Sequence, residues 1–224
     1  MPLSGIDPVS LIVVVACIAL LPIAIVMTTS FLKISVVLAL LRNAIGVQQV
    51  PPNMALNGLA LILSAYVMAP VLGSVVEQVR QAYPALSAAQ APERRFDDLL
   101  VAVDRGLAPM WAFMLKHSTP AQRRFFIDNA TALWGEDPAR GLQDDNLLIL
   151  IPAFMVAQLN AAFQVGFLLY LPFIIIDLIV SNILLAMGMM MVSPVTIAIP
   201  LKLFLFVMVD GWTKLIQGLV LSYV

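Results

Sequence analysis

Charged residues divide the chain into long apolar runs and one polar stretch. Four runs carry no charge: Pro8 to Leu32, Asn43 to Val76, Asn146 to Ile176, and Leu178 to Leu201. A helix that crosses the hydrocarbon core of a bilayer needs about 20 mostly apolar residues. Each run is long enough to supply one, and in the second the best stretch is Met54 to Val76. No segment shows the strict alternation of a half-buried strand, and no repeat of fixed period is visible. The pattern predicts an all-α membrane protein with four long apolar helices. A polar helical insertion separates the second helix from the third. The expected divisions are residues 1–76, a polar segment 77–146, and residues 147–224.

The polar segment carries its own start and stop signals. In Thr119-Pro120-Ala121-Gln122, threonine can cap a helix, proline suits its first position, and Gln122 can close a capping box. Gly135 is a suitable end. A second helix is expected from Arg94 to Trp111, with Phe96, Leu99, Leu100, Val103 and Leu107 on one face. Residues 84–92 read as a loop. Lys33 and Arg42 fall between the first two apolar helices. If they mark the cytoplasmic side, the larger polar segment lies outside the cytoplasm. Leu11 to Leu21 resembles the apolar part of a signal peptide, but only Asp7 precedes it and no Lys or Arg, so it reads as a retained helix.

Composition strengthens the membrane reading. Of the 224 residues, 62% are hydrophobic and 11% charged, against about 25% charged in soluble domains. The mean hydropathy is +1.00. A disordered chain, a soluble globular domain and a nucleic-acid binder are excluded. The net charge of −1 supplies no field to recruit a partner. One cysteine (Cys17) and one histidine (His117) leave no basis for a disulfide or a multi-histidine metal site. No metal or cofactor is expected.

Three features sit badly with lipid-facing rods. Pro22, Pro70, Pro152, Pro172, Pro194 and Pro200 fall in or beside the apolar runs. Each proline removes a helical hydrogen bond, so they are expected to kink or break the helices. Asp177 stands alone in the otherwise uncharged stretch Asn146–Leu201. An intramembrane carboxylate costs roughly 3 kcal/mol or more unless paired or neutral. Three readings compete: a turn at the interface, a pair with Lys33, Arg42 or Lys202, or a proton relay. Asp210 is less demanding, because Trp212 and Lys214 suggest an interface. Finally, Met187, Met189, Met190 and Met191 crowd into Met-Gly-Met-Met-Met-Val-Ser-Pro, flanked by Gly188 and Pro194. Adaptable core filling, copper binding through thioethers and a deformable apolar constriction are the readings. No Cys or His nearby supports copper.

Two blocks resemble a known family. Residues 29–70 contain Thr-Ser-Phe-Leu-Lys-Ile and Leu-Leu-Arg-Asn-Ala-Ile-Gly-Val-Gln-Gln-Val-Pro-Pro-Asn. Residues 151–212 contain Ala-Phe-Gln-Val-Gly-Phe-Leu-Leu-Tyr-Leu-Pro-Phe, Ile-Asp-Leu, Met-Gly-Met-Met-Met-Val-Ser-Pro and Val-Asp-Gly-Trp. They resemble the FliP/SctR family of type III secretion export-gate proteins. The resemblance implies a subunit that self-associates as a pentamer and joins two smaller partner families. Together they form an inner-membrane channel entrance for unfolded secreted proteins. It implies that Met187, Met189, Met190 and Met191 line the lumen as a gasket, and that the polar segment is periplasmic. It also implies that much of the assembly stands above the bilayer, with Asp177 and the prolines facing neighbouring subunits. The missing positive n-region favours the injectisome, a virulence apparatus, over the flagellum. Two other functions are compatible with the composition. A small-solute transporter would use broken helices, although no inverted repeat is visible. An intramembrane aspartyl protease would need Asp177 and Asp210 to share a proton, although that enzyme class's motifs are absent.

Overall fold

The helix α2 (Phe31–Ile45) is an element on which several of the others pack. Ile34, Val37, Leu38 and Leu41 are fully buried, and Ala44 and Ile45 nearly so. Their spacing of three and four residues gives a broad apolar face that touches neighbours on several sides. The computed structural model describes residues 8–47, 50–88, 105–135, 141–189 and 191–224, and these are helical with no strand among them.

Seven further helices lie among the described residues, some packed on α2 and others on its neighbours. α1 (Pro8–Thr28) precedes it, and α3 (Asn53–Ala88) follows antiparallel, with Ser64 beside Ser30. A helix α4 at residues 105–116 leads to α5 (Pro120–Trp134). α6 (Leu147–Ala186), α7 (Pro194–Met208) and α8 (Gly211–Leu221) complete the chain. The 40 residues of α6 extend about 60 Å at the helical rise. Asn146 caps α6, its side-chain oxygen accepting from the Leu148 amide at 3.0 Å. The core lies where α2 meets α6 and α3, around Phe154, Leu150, Leu38 and Met68, with Met110, Phe113 and Met114 of α4 closing one end.

The expected all-α membrane class is what the structure has. Two helical stretches, Asn53–Gln81 and Leu147–Ala186, are long and apolar enough to cross a bilayer. Two bent pairs raise the number to four: Pro22–Thr28 with Phe31–Ile45 at 82°, and Pro194–Met208 with Gly211–Leu221 at 64°.

Several local expectations need correction. Lys33 and Arg42 do not sit in a connection, because the residues between the first two apolar runs form α2 itself. Residues 84–88 continue α3 rather than starting a loop. Asp177 marks no turn, since α6 runs through it and joins the third apolar run to part of the fourth. Pro22, Pro70, Pro152, Pro172 and Pro200 lie within continuous helices, and only Pro194 stands at a break, as the first residue of α7. A single missing hydrogen bond is tolerated where the turns on either side are intact and packed against other helices. The capping box is present: Thr119 Oγ1 accepts from the Gln122 amide at 3.3 Å, and Gln122 Oε1 accepts from the Thr119 amide at 3.1 Å. Gly135 ends α5 at φ 87°. Most of the helix expected at Arg94–Trp111 lies outside the described residues, and its described part continues to residue 116.

Candidate functional site

The methionine cluster occupies a loop whose two ends are set by helix-termination chemistry. At the end of α6, Gly188 takes φ 74°. Its amide donates to the Leu185 carbonyl at 3.0 Å, and the Met189 amide donates to the Leu184 carbonyl at 2.9 Å. This nested pair of bonds satisfies orphan carbonyls of the last turn and needs a left-handed residue, which glycine supplies without a Cβ penalty. The chain restarts at Ser193, with Pro194 as the first helical residue, where its missing N–H costs nothing. The intervening side chains have little intramolecular cover: Met187 is 66% exposed, Met189 38% and Met191 101%. Met190 lies outside the described residues.

A polar anchor ties α6 to α7 about three turns before the loop. Lys202 Nζ donates to Asp177 Oδ2 at 2.7 Å and to the Ala44 carbonyl at 3.2 Å. The Lys202 side chain is 6% exposed and that of Asp177 42%. Ala44 is in the last turn of α2, where carbonyls lack intrahelical partners and the helix dipole is negative. The lysine therefore meets two negative centres, a carboxylate and a helix C-terminus. Of the three cations considered for Asp177, Lys202 makes the pair.

The other candidate residues have separate partners. Lys33 Nζ donates to Ser222 Oγ at 2.6 Å and lies 4.3 Å from the centre of the Tyr223 ring. Arg42 donates to Asn53 Oδ1 and to the Pro51 carbonyl. Asp210 forms the corner between α7 and α8 at φ 54°, and its Oδ1 accepts from Thr213 Oγ1 at 2.9 Å. A Cβ on the next residue, Gly211, would overlap the Phe206 ring, so any side chain there must displace that ring. Asp177 and Asp210 thus serve different helix junctions. Among the described residues no group of three or more His, Cys, Asp or Glu side chains could hold a metal ion.

A second polar cluster carried no sequence signal. Tyr223 Oη donates to Gln158 Oε1 at 2.7 Å, and Gln158 Nε2 donates to the His117 carbonyl at 3.2 Å. His117 packs against Phe113 and Tyr223, with ring centres 4.6 and 5.2 Å away. Burial, then nearby Lys116 and Lys33, hold its imidazole down at about 4. Arg123, in α5, donates to Ser118 Oγ and to the Ser118 carbonyl at 2.9 Å and pairs with Asp144 at 3.1 Å. It fastens the polar segment to the start of α6. Only its place one residue after a capping box hinted that it would turn inward.

Comparison with known proteins places this architecture. The FliP family model matches residues 14–219. The chain is 52% identical to Yop proteins translocation protein R of Yersinia pestis, over 97% of both chains. It is 47% identical to virulence protein YscR of Salmonella typhimurium and 45% identical to harpin secretion protein HrcR of Erwinia amylovora, each again over 97% of both chains. The chain belongs to the FliP family, in the injectisome branch of type III secretion.

Proposed function

We propose that the chain is a channel-forming subunit of the type III export gate, and that its methionine loop is the deformable seal of the channel. The observation that carries this reading is the uncovered loop. Three methionines project from a turn fixed at both ends, and Met191 touches almost nothing of its own chain. Leaving one such side chain in water forgoes about 1.5–3 kcal/mol of burial. A ring of copies facing a common axis would recover it by packing the thioethers together. Unbranched, polarisable side chains then close a narrow pore by contact and dewetting, and they part for chains of varied sequence because they make no directional bonds.

The remaining surface suits this role. Leu61, Ile62, Tyr66, Phe163, Phe167, Leu178 and Ile179 are all more than half exposed, as expected of faces covered by lipid or by neighbouring subunits. Several copies and smaller apparatus subunits would share that surface in the inner membrane, with the polar segment on the periplasmic side. The test replaces Met189, Met190 and Met191 together by alanine. The complex is expected to assemble normally while the membrane becomes leaky to small ions. An ion-tight membrane with assembled mutant complex would remove the seal from the proposal.

A further inference from the structure

The methionine loop stands at the tip of a helical hairpin, with α6 leading into it and α7 leading out. Asp177 and Lys202 join the two helices some way from the tip. The arms beyond this pair, residues 177–186 and 194–202, are each about 12–14 Å long at the helical rise. They share little packing. Val180 and Leu184 of α6 and Ala198 of α7 are buried, whereas Ile179, Ile183, Leu185, Val195, Ile197 and Leu201 are exposed. Apolar contact is non-directional and does little to stop one helix rocking or sliding on the other.

α7 also has a weak point of its own. Pro200 lies within it, supplies no backbone N–H and crowds the preceding turn. The hydrogen bond that would join residue 200 to the Thr196 carbonyl is therefore missing. The end of α2 meets α7 on both sides of that point. Gly46, the C-cap of α2, lies against Ile199, and a Cβ there would stand 3.5 Å from Ile199 Cγ1. The last turn of α2 reaches Lys202, whose Nζ donates to the Ala44 carbonyl at 3.2 Å and to Asp177 Oδ2 at 2.7 Å. One buried ammonium thus joins three helices just past the missing bond. The fully buried Val37, Leu38 and Leu41 of α2 fasten that junction to the core.

We infer that Lys202, with Asp177 and the end of α2, splints α7 at Pro200 and thereby fixes the position of the methionine loop. Lys202 and Asp177 are positioning residues: neither belongs to the loop, and they act on it through the two arms. Their effect on ion tightness rests on the seal reading, whereas their effect on loop geometry does not.

The test uses the full chain in lipid nanodiscs, with labelled chain diluted in unlabelled chain so that only spacings within one chain are read. Spin labels at Leu185→Cys and Val195→Cys, in a Cys17→Ser background, flank the loop at exposed sites and leave every methionine in place. Dipolar broadening should report one narrow spacing for the native anchor. Lys202→Met removes the cation and keeps an apolar stem. It should give a broad or second spacing, and amide exchange in residues 195–201 should accelerate by about tenfold. Lys202→Arg, which keeps donors for both partners, should retain the narrow spacing. Arg123→Gln breaks a different ion pair, in the polar segment, and should lower the melting temperature without changing the spacing. In assembled complexes, Lys202→Met should leak ions with all its methionines present. If Lys202→Met does not purify as folded protein, Asp177→Asn carries the same readouts. An unchanged narrow spacing in Lys202→Met, or equal broadening by Arg123→Gln, would overturn the splint. So would a Lys202→Met complex that stays ion-tight where the triple alanine variant of the loop leaks. Broad spacing in Lys202→Met beside an ion-tight triple alanine variant would keep the splint and remove the seal.

Discussion

Lys202 and Asp177 are unequal partners, and the inequality has a measurable consequence. The lysine is buried and the carboxylate is half exposed. Removing the carboxylate leaves a buried cation with only the Ala44 carbonyl, whereas removing the lysine leaves an anion that water or a neighbouring chain can reach. Breaking a fully buried pair costs about 3–5 kcal/mol. Exposure of Asp177 reduces this, so about 1–3 kcal/mol is expected for Asp177→Asn. Lys202→Met should cost less. Thermal unfolding in detergent measures the order, and native gels should show less assembled complex for Asp177→Asn. His117 makes a separate prediction. Its folded-state pKa is depressed to about 4 from the usual 6.5. The unfolded chain therefore takes up the proton first as pH falls. The stability His117 contributes is complete above pH 6.5 and is lost between pH 6.5 and about 4. His117→Phe should flatten that part of the stability–pH curve. An unaltered acid limb would mean that the imidazole does not titrate between the two states.

At the scale of helices, the informative positions are the breaks. Gly188 ends α6 and Gly211 begins α8, and each needs glycine for a different reason. Gly188 has φ 74° and open space where a Cβ would stand, so Gly188→Ala should cost only the left-handed strain, about 1 kcal/mol. Gly211 faces the Phe206 ring, so Gly211→Ala must displace an aromatic side chain that packs on Phe173 and Trp212. Overpacking of this kind costs about 1–3 kcal/mol. Gly211→Ala should thus lower the melting temperature more than Gly188→Ala. Equal effects would mean that the ring moves freely. The start and end of α5 were legible because capping is a matter of residues three apart. The 82° bend was not, because Thr28, Thr29 and Ser30 bend a helix only where tertiary partners such as Ser64 and Tyr223 receive them.

At the scale of the molecule, the chain leaves much apolar surface without cover of its own. Along α3 and α6, Leu61, Ile62, Tyr66, Phe163, Phe167 and Leu178 are more than half exposed. So many large apolar side chains are costly to leave in water, and relatives named for translocation and secretion make other subunits the natural cover, beside lipid. Native mass spectrometry of the chain expressed with candidate apparatus subunits should therefore show a complex with more than one copy. A stable monomer that ignores those subunits would count against the assembly. A transporter, by contrast, would be complete alone.

The amino-acid order by itself determined the helical class, the apolar runs and the capped start of α5. Each follows from forces acting within a few residues: helical hydrogen bonding, caps, and the cost of charge in hydrocarbon. It left Asp177 open between an interfacial turn, a pair with Lys33, Arg42 or Lys202, and a proton relay. Only the tertiary structure decided among them, because Lys202 is chosen by the end of α2 arriving beside it. The same holds for Gln158, Tyr223 and Lys33, which meet across the whole chain. Helices apolar on nearly every side carry little periodic record of which face meets which neighbour. Pairing between distant polar groups is therefore settled by packing.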